Sequence, residues 1–250
     1  MVHIRRLVPS RIKRLVSDSL GITALNKRID LLYGLIESEL SSEAKEDLWK
    51  RSRTRWRQSG PGNNLTWGLR VSGDSFISKV SSYHVFDFKK NILEVGAGYG
   101  RLLRSCLKQQ VPFGKYVAID ISKENVRYLR KKFPGNKIHV VHGDAENCSF
   151  DTKFDVVLSS LTFKHLFPSF EKTLHNVANY VHPGGMFFFD LIEGNRRGFE
   201  DDGLTYFRWY ERSEILEVLS NISIEFVAFD RVQHAPNFSR LLVIAKKPKA

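Results

Sequence analysis

The sequence has few cysteines and no long apolar run. Its 250 residues include two cysteines, Cys106 in an apolar helical pattern and Cys148 in a loop, which are too few for a disulfide framework or a zinc site. Apolar runs such as residues 186–192 fall far short of the roughly 20 residues that span a bilayer. Basic residues and Pro9 stand where a signal peptide would carry its apolar stretch. We therefore expect a cytoplasmic protein without a membrane span.

Acidic residues are also scarce, because 27 Asp and Glu stand against 39 Lys and Arg, which leaves a net charge of +12. This excess favours an anionic partner without identifying it. Residues 3–20 hold basic and apolar positions at helical spacing and no acid before Asp18. They fit peripheral association with an anionic membrane at the inner membrane surface, or a helix packed on its own domain. Residues 22–36 fit a short dimer seam or intramolecular packing, so the oligomeric state stays open.

A third helical pattern covers residues 43–58, with acids early and arginines late, as the helix dipole prefers. Its arginines between Arg51 and Arg57 are interleaved with Trp49 and Trp56. Arginine beside aromatic residues can bind RNA, although a solvated helix face explains the same pattern. Residues 59–62 mark a linker.

Short apolar runs alternate with amphipathic helical patterns from residue 91 onward, which is typical of a parallel sheet covered by helices. Two final runs are separated by a loop with Pro236 and Asn237 and read as an antiparallel hairpin. We predict an α/β, Rossmann-like domain over residues 91–250, with helices on both faces of a mostly parallel sheet, and a helical extension over residues 1–90. The predicted strands are 91–95, 116–120, 137–142, 154–159, 186–192, 223–232 and 240–246, with helices starting near Gly100, Lys123, Pro168 and Ser213.

The segment ILEVGAGYGRLL, residues 92–103, runs from an apolar strand through three glycines into an amphipathic helix. Glycines allow a tight turn and a close approach of backbone to a ligand. Glu94 would repel a pyrophosphate but suits a cationic ligand. Asp120 and Asp144 follow the second and third strands at the same sheet edge. Each fits a ligand contact, or a helix cap or turn.

These residues together resemble class I S-adenosylmethionine-dependent methyltransferases, over residues 91–248. The resemblance implies a seven-stranded sheet, S-adenosylmethionine as cofactor and methyl transfer. It also implies that the glycine segment contacts the methionine part, Asp120 the ribose, and Ile121, Asp144 and Ala145 the adenine. The predicted cofactor-binding residues are Glu94, Gly96, Ala97, Gly98, Gly100, Asp120, Ile121, Asp144, Ala145 and Ser159.

An alcohol acceptor needs its proton removed, and His165, shortly after the fourth strand, is the candidate base at the ligand-binding edge. Packing against the next helix is the alternative role. Trp67, Arg70 and Asp74 lie where related enzymes place an active-site cover, although Trp67 fits a structural role equally. Asp190 is a candidate for holding substrate hydroxyls. Asp190 and Glu193 alone give too little support for a metal, so we predict none.

The acceptor is the least specified part of the prediction. No Asn/Asp-Pro-Pro-aromatic segment follows the fourth strand, which lowers the weight of nucleic-acid amino methylation. We expect O-methylation of a small hydroxylated acceptor, such as a sugar or a lipid-linked glycan. RNA methylation and a non-catalytic S-adenosylmethionine-binding protein are the alternatives, and a dehydrogenase is a remote one.

Overall fold

The computed structural model describes residues 41–60, 71–200 and 203–249. The basic segment 3–20, the pattern at 22–36, and Trp67 and Arg70 lie outside the described residues. Among the residues that are described, no helix is both long and apolar enough to cross a membrane. Cys106 and Cys148 are both free thiols.

Seven strands form one sheet in the order β3-β2-β1-β4-β5-β9-β8. The first five strands are parallel, and β9 runs antiparallel to both β5 and β8. The mostly parallel sheet with a terminal hairpin is therefore confirmed. The strands of this sheet are β1 (Asn91–Val95), β2 (Lys115–Asp120), β3 (Ile138–His142), β4 (Phe154–Ser159), β5 (Val181–Leu191), β8 (Glu225–Ala235) and β9 (Phe238–Lys246), and a separate hairpin pairs β6 (Arg197–Phe199) with β7 (Tyr206–Arg208).

Helices cover both faces of the sheet, as the sequence predicts. One buried cluster joins Leu93 and Val95 to the helices α5 and α6, while the other joins Ile92 to α2 and α3. Successive residues of a strand point to opposite faces, so β1 supplies both cores. The described helices are α1 (Ser42–Arg57), α2 (Asp74–Ser81), α3 (Arg101–Lys108), α4 (Lys123–Lys132), α5 (Glu171–Ala178) and α6 (Arg212–Asn221), with a 3-10 turn at Phe163–His165.

The largest boundary errors fall where a strand continues through or toward a proline-containing segment. β5 begins at Val181, five residues before the predicted start, and the register with β4 shifts between Phe154 and Val156. The Pro183–Gly185 stretch is thus an irregularity within the strand, which sequence patterns do not separate from a turn. The hairpin strands β8 and β9 likewise extend until only Pro236 and Asn237 separate them.

Candidate cofactor and active site

The glycine turn after β1 forms one wall of a cavity at the carboxyl edge of the sheet. Gly96 has φ +74°, and a Cβ there would lie 2.4 Å from Thr162. Gly98 has φ +53°, but a Cβ there would meet no described heavy atom within 4 Å. The turn is tied to β2 because Gly96 N donates to Ile119 O at 2.9 Å. Glycine thus relieves a close contact at Gly96 and leaves room for a ligand at Gly98.

Asp120 ends β2 and also borders the cavity. One of its carboxylate oxygens accepts from Gly98 N at 2.7 Å, and the other accepts from Ser122 N at 2.9 Å and Asn125 Nδ2 at 3.1 Å. Burial raises the pKa of this carboxyl, while the hydrogen bonds oppose the rise. The helix cap is not Asp120 but Ser122, whose hydroxyl accepts from Asn125 N at 3.2 Å. Asp120 therefore joins the glycine turn to the start of α4.

Asp144, in the loop after β3, borders the cavity as well. Its Oδ2 accepts from Arg53 Nε at 2.8 Å, and its Oδ1 accepts from Glu146 N at 3.1 Å. The Arg53 guanidinium also pairs with the Glu146 carboxylate, which accepts from Trp49 Nε1 at 3.1 Å. This ion-paired group links the loop after β3 to α1.

Helix α1 lies across the cavity, a feature that the sequence did not predict. Its residues Ser52, Arg53 and Trp56 line the cavity, as does Ser59 just beyond the helix. The segment after the helix is held by the Ser122 hydroxyl, which donates to Ser59 O, and by the Tyr99 hydroxyl, which donates to Gly60 O at 2.9 Å. The helix is therefore anchored to the loops that follow β1, β2 and β3.

A sequence signal for this contact existed. Positions 49, 52, 53 and 56 are spaced i, i+3, i+4 and i+7, which places them on one face of the helix. Arg53 is 4% exposed, whereas Arg51 and Arg57 are exposed and Arg51 pairs with Asp47. The arginine and tryptophan side chains that could interleave to bind RNA are thus divided between an inner and an outer face.

His165 stands on the cavity wall at the end of the 3-10 turn. Its Nδ1 lies 2.6 Å from Tyr206 O. A carbonyl oxygen only accepts, so Nδ1 carries the proton and the neutral ring keeps a lone pair on Nε2. Burial, with the charge of Lys164 next in size, lowers the pKa of His165 well below 6.5. The ring packs 4.4 Å from the Trp56 ring.

The cavity brings together most of the predicted residues. Gly96, Ala97, Gly98, Asp120, Ile121, Asp144, Ala145 and His165 all line it. The cavity is also lined by residues that the sequence did not predict to bind cofactor or substrate, and these are Ser52, Arg53, Trp56, Ser59, Val95, Tyr99, Arg101, Ile119, Asn125, Gly143, Ser160, Leu161, Thr162, Leu166 and Thr173.

Glu94, Gly100 and Ser159 are predicted cofactor-binding residues that lie off this wall. Glu94 is 2% exposed and accepts from the Tyr116 hydroxyl at 2.6 Å. Burial raises the pKa of Glu94 to about 7. A Cβ at Gly100 would lie 2.5 Å from Phe133, against α4. Ser159 donates to Val95 O at 3.0 Å and is 1% exposed. These three residues contact neighbouring strands and α4 on the side of the turn away from the cavity, where they support its conformation.

Asp190 also lies beneath the cavity instead of on its wall. Its carboxylate accepts from Leu161 N at 2.7 Å, from His234 Nε2 at 2.9 Å and from the Ser160 hydroxyl. Burial raises its pKa, but these hydrogen bonds outweigh burial and hold the pKa below its ordinary value. The Asp190 side chain is fully buried, and its bonds to Ser160 and Leu161 hold these two residues of the cavity wall in place.

Two other acids considered from the sequence form ion pairs elsewhere. Asp74 accepts from Lys108 Nζ at 2.6 Å and from the Ser105 hydroxyl at 2.7 Å, which lowers its pKa to about 2. It therefore ties α2 to α3 instead of closing over the cavity. Glu193 pairs with Arg212 at 2.7 Å and with Arg231 at 2.5 Å.

Residues 93–189 match the family model described as a methyltransferase domain. A fatty-acid O-methyltransferase of Mycolicibacterium smegmatis is 33% identical over 101 residues, which cover 40% of this chain and 36% of that protein. A phthiotriol/phenolphthiotriol dimycocerosates methyltransferase of Mycobacterium ulcerans is 29% identical over 185 residues, which cover 70% and 65%. The chain therefore spans about a third of the length of the first relative and under two thirds of the second.

A solved structure has the same fold. It is the 1,6-didemethyltoxoflavin-N1-methyltransferase of Burkholderia thailandensis with bound 1,6-didemethyltoxoflavin and S-adenosylhomocysteine. The match has a TM-score of 0.68 at 18% identity and covers 84% of this chain and 92% of that one. At this identity the similarity establishes the fold, and acceptors differ among proteins that share it.

Proposed function

We propose that this chain, whose residues 93–189 match a methyltransferase domain and whose fold is that of a solved methyltransferase, is a class I S-adenosylmethionine-dependent enzyme that transfers the sulfonium methyl group to an oxygen of a small hydroxylated acceptor. The observation that carries the proposal is His165 on the cavity wall, with Nδ1 bonded to Tyr206 O and Nε2 left as the basic atom. The names of the relatives support the finer proposal of a lipid or lipid-linked acceptor.

The cavity residues fit the cofactor. Gly98 leaves open space in the turn among the described residues, and Ile121 and Ala145 offer apolar contacts for an adenine ring. Asp120 and Asp144 add carboxylates that suit a cationic ligand. When bound, S-adenosylmethionine supplies a methyl group on a positively charged sulfur. Asp120 would hold the ribose, and the glycine turn would face the methionine part.

The base role of His165 follows from its protonation state. Its lowered pKa keeps the ring neutral near neutral pH, so that no proton blocks Nε2. The bond from Nδ1 to Tyr206 O fixes the ring and stabilises the tautomer with the lone pair on Nε2. His165 would take the hydroxyl proton as the oxygen attacks. A positioned base of this kind contributes about 10²- to 10⁴-fold in rate.

The acceptor end of the cavity is lined by Trp56, Leu161 and Leu166 beside His165. These apolar walls suit an acceptor with an apolar body and one reacting oxygen. The names of the two relatives, a fatty-acid and a phthiotriol methyltransferase, point to lipids. We therefore favour a hydroxylated lipid or lipid-linked glycan over a free sugar.

The test uses S-adenosylmethionine labelled at the methyl group, incubated with the purified protein and separate lipid, glycan, RNA and small-metabolite fractions of a cell extract. We expect label in a lipid or lipid-linked product. His165→Asn should lower this rate by about 10²- to 10⁴-fold without changing the calorimetric affinity for S-adenosylhomocysteine. His175→Asn, at an exposed position of α5, is the matched control and should keep the wild-type rate.

Three results would contradict the proposal. Label in RNA alone would identify the alternative acceptor class. Binding of S-adenosylhomocysteine without transfer to any fraction would favour a non-catalytic binding protein. A His165→Asn protein as fast as wild type would remove His165 as the base.

A further inference from the structure

Arg53 has an unusual combination of contacts for a residue outside the stretch 93–189 that matches the family model. Its side chain is 5% exposed and pairs with both Asp144 and Glu146. Its guanidinium carbon lies 4.1 Å from the centre of the Trp49 ring. The same side chain borders the cavity. The guanidinium group is therefore bonded to two carboxylates along its edge, covered by the Trp49 ring on one face, and placed beside the cavity that a ligand would fill.

The planar guanidinium explains why these contacts coexist. It donates in its plane to carboxylates and stacks through its faces on aromatic rings. The two carboxylates fix the plane, and Trp49 covers one face. Ion pairing thus orients the group before a ligand arrives, which lowers the entropy cost of a stacked contact.

The position of Arg53 indicates which part of the ligand it meets. Its partner Asp144 belongs to the loop of Gly143 and Ala145, which lines the cavity together with Ile121. These are the residues that the family resemblance associates with adenine. We propose that Arg53 stacks on the adenine ring of the cofactor, so that α1 completes the adenine subsite. This inference rests on the proposed function.

A purely structural role for Arg53 predicts a different outcome. A lysine would still neutralise Asp144 and Glu146, as Lys172 does in part at 3.5 Å from Glu146. Lysine cannot pair along an edge and stack through a face at the same time. Arg53→Lys therefore keeps the charge and removes the stacking surface.

The experiment measures the affinities of S-adenosylhomocysteine and of S-ribosylhomocysteine, which lacks adenine, by competition calorimetry. Arg53→Lys should weaken S-adenosylhomocysteine binding by roughly 2- to 30-fold, the range of cation–π contacts, and change S-ribosylhomocysteine binding by less. Arg51→Lys is the matched control, because Arg51 is exposed on the same helix. It should leave both affinities unchanged.

Equal weakening for both ligands, or none, would overturn the stacking role. A crystal structure of the wild-type complex with S-adenosylhomocysteine decides the matter if Arg53→Lys does not fold. The guanidinium should lie over the face of the adenine within about 6 Å of the ring centre, and an adenine bound away from Arg53 would refute the proposal. Wild-type protein that binds neither ligand would instead overturn the proposed function.

Discussion

Replacing Glu94 with glutamine should make the stability of the protein less dependent on pH. Glu94 is buried, and its pKa rises from 4.5 to about 7 on folding. Between these two pH values the folded chain holds a proton on Glu94 that the unfolded chain has released. The protein is therefore most stable with respect to this group below pH 4.5 and loses that stability as the pH rises through about 7. A shift of this size corresponds to about 3 kcal/mol at about 1.4 kcal/mol per unit. Glutamine keeps the neutral form and can still accept from Tyr116.

Urea unfolding followed by circular dichroism at about pH 5 and about pH 9 measures the effect. The free energy of unfolding of Glu94→Gln minus that of wild type should be about 2 to 3 kcal/mol larger at the higher pH than at the lower one. Glu124→Gln, at an exposed position on α4, is the control and should show little change. A relative stability of Glu94→Gln that is independent of pH, or that falls with rising pH, would refute the assignment of a protonated buried carboxyl.

Other perturbations separate folding from binding at the same site. Gly96→Ala places a Cβ 2.4 Å from Thr162 at φ +74° and should cost about 1 to 3 kcal/mol in thermal unfolding. Gly98→Ala, whose Cβ meets no described neighbour within 4 Å but whose φ is +53°, should lose only the cost of the left-handed backbone, about 1 to 2 kcal/mol, and should in addition weaken S-adenosylhomocysteine binding in calorimetry. The methyl-transfer rate should stay constant as the pH falls through 6.5, because the pKa of His165 lies well below that value; a half-maximal rate near 6.5 would contradict this.

The sheet could be predicted from the sequence because its signals are local. Most of the parallel strands are short apolar runs, β1, β2 and β4 are each followed by a helix before the next strand, and the glycine turn marks the carboxyl end of β1. The strand ends at Asp120 and His142 were located to the residue. Since the carboxyl ends of parallel strands meet at one edge, the cavity residues after β1, β2 and β3 followed from the same pattern.

The direction of side chains was harder to predict than their position. Glu94 stands two residues before Gly96 and shares a strand face with Ile92, a core residue. The alternation within β1 thus places its carboxylate behind the turn, although its position in the motif suggested a ligand contact. Asp190 similarly ends up among Ser160, Leu161 and His234. Hydrogen-bond partners distant along the chain, Tyr116 for Glu94 and His234 for Asp190, then hold each carboxylate in place.

Helix α1 shows the same limit at larger scale. Arg53 and Asp144 are 91 residues apart in the chain, and Trp49 and Glu146 are 97 apart, so no local pattern pairs them. The pairing nevertheless restricts where α1 can lie. A shift of one residue would rotate Arg53 by about 100°, which would leave Asp144 without its cation and the buried Glu146 with only Lys172 at 3.5 Å, at a cost of several kcal/mol. Buried charge therefore fixes the register of α1, and with it the positions of Ser52 and Trp56 on the cavity wall.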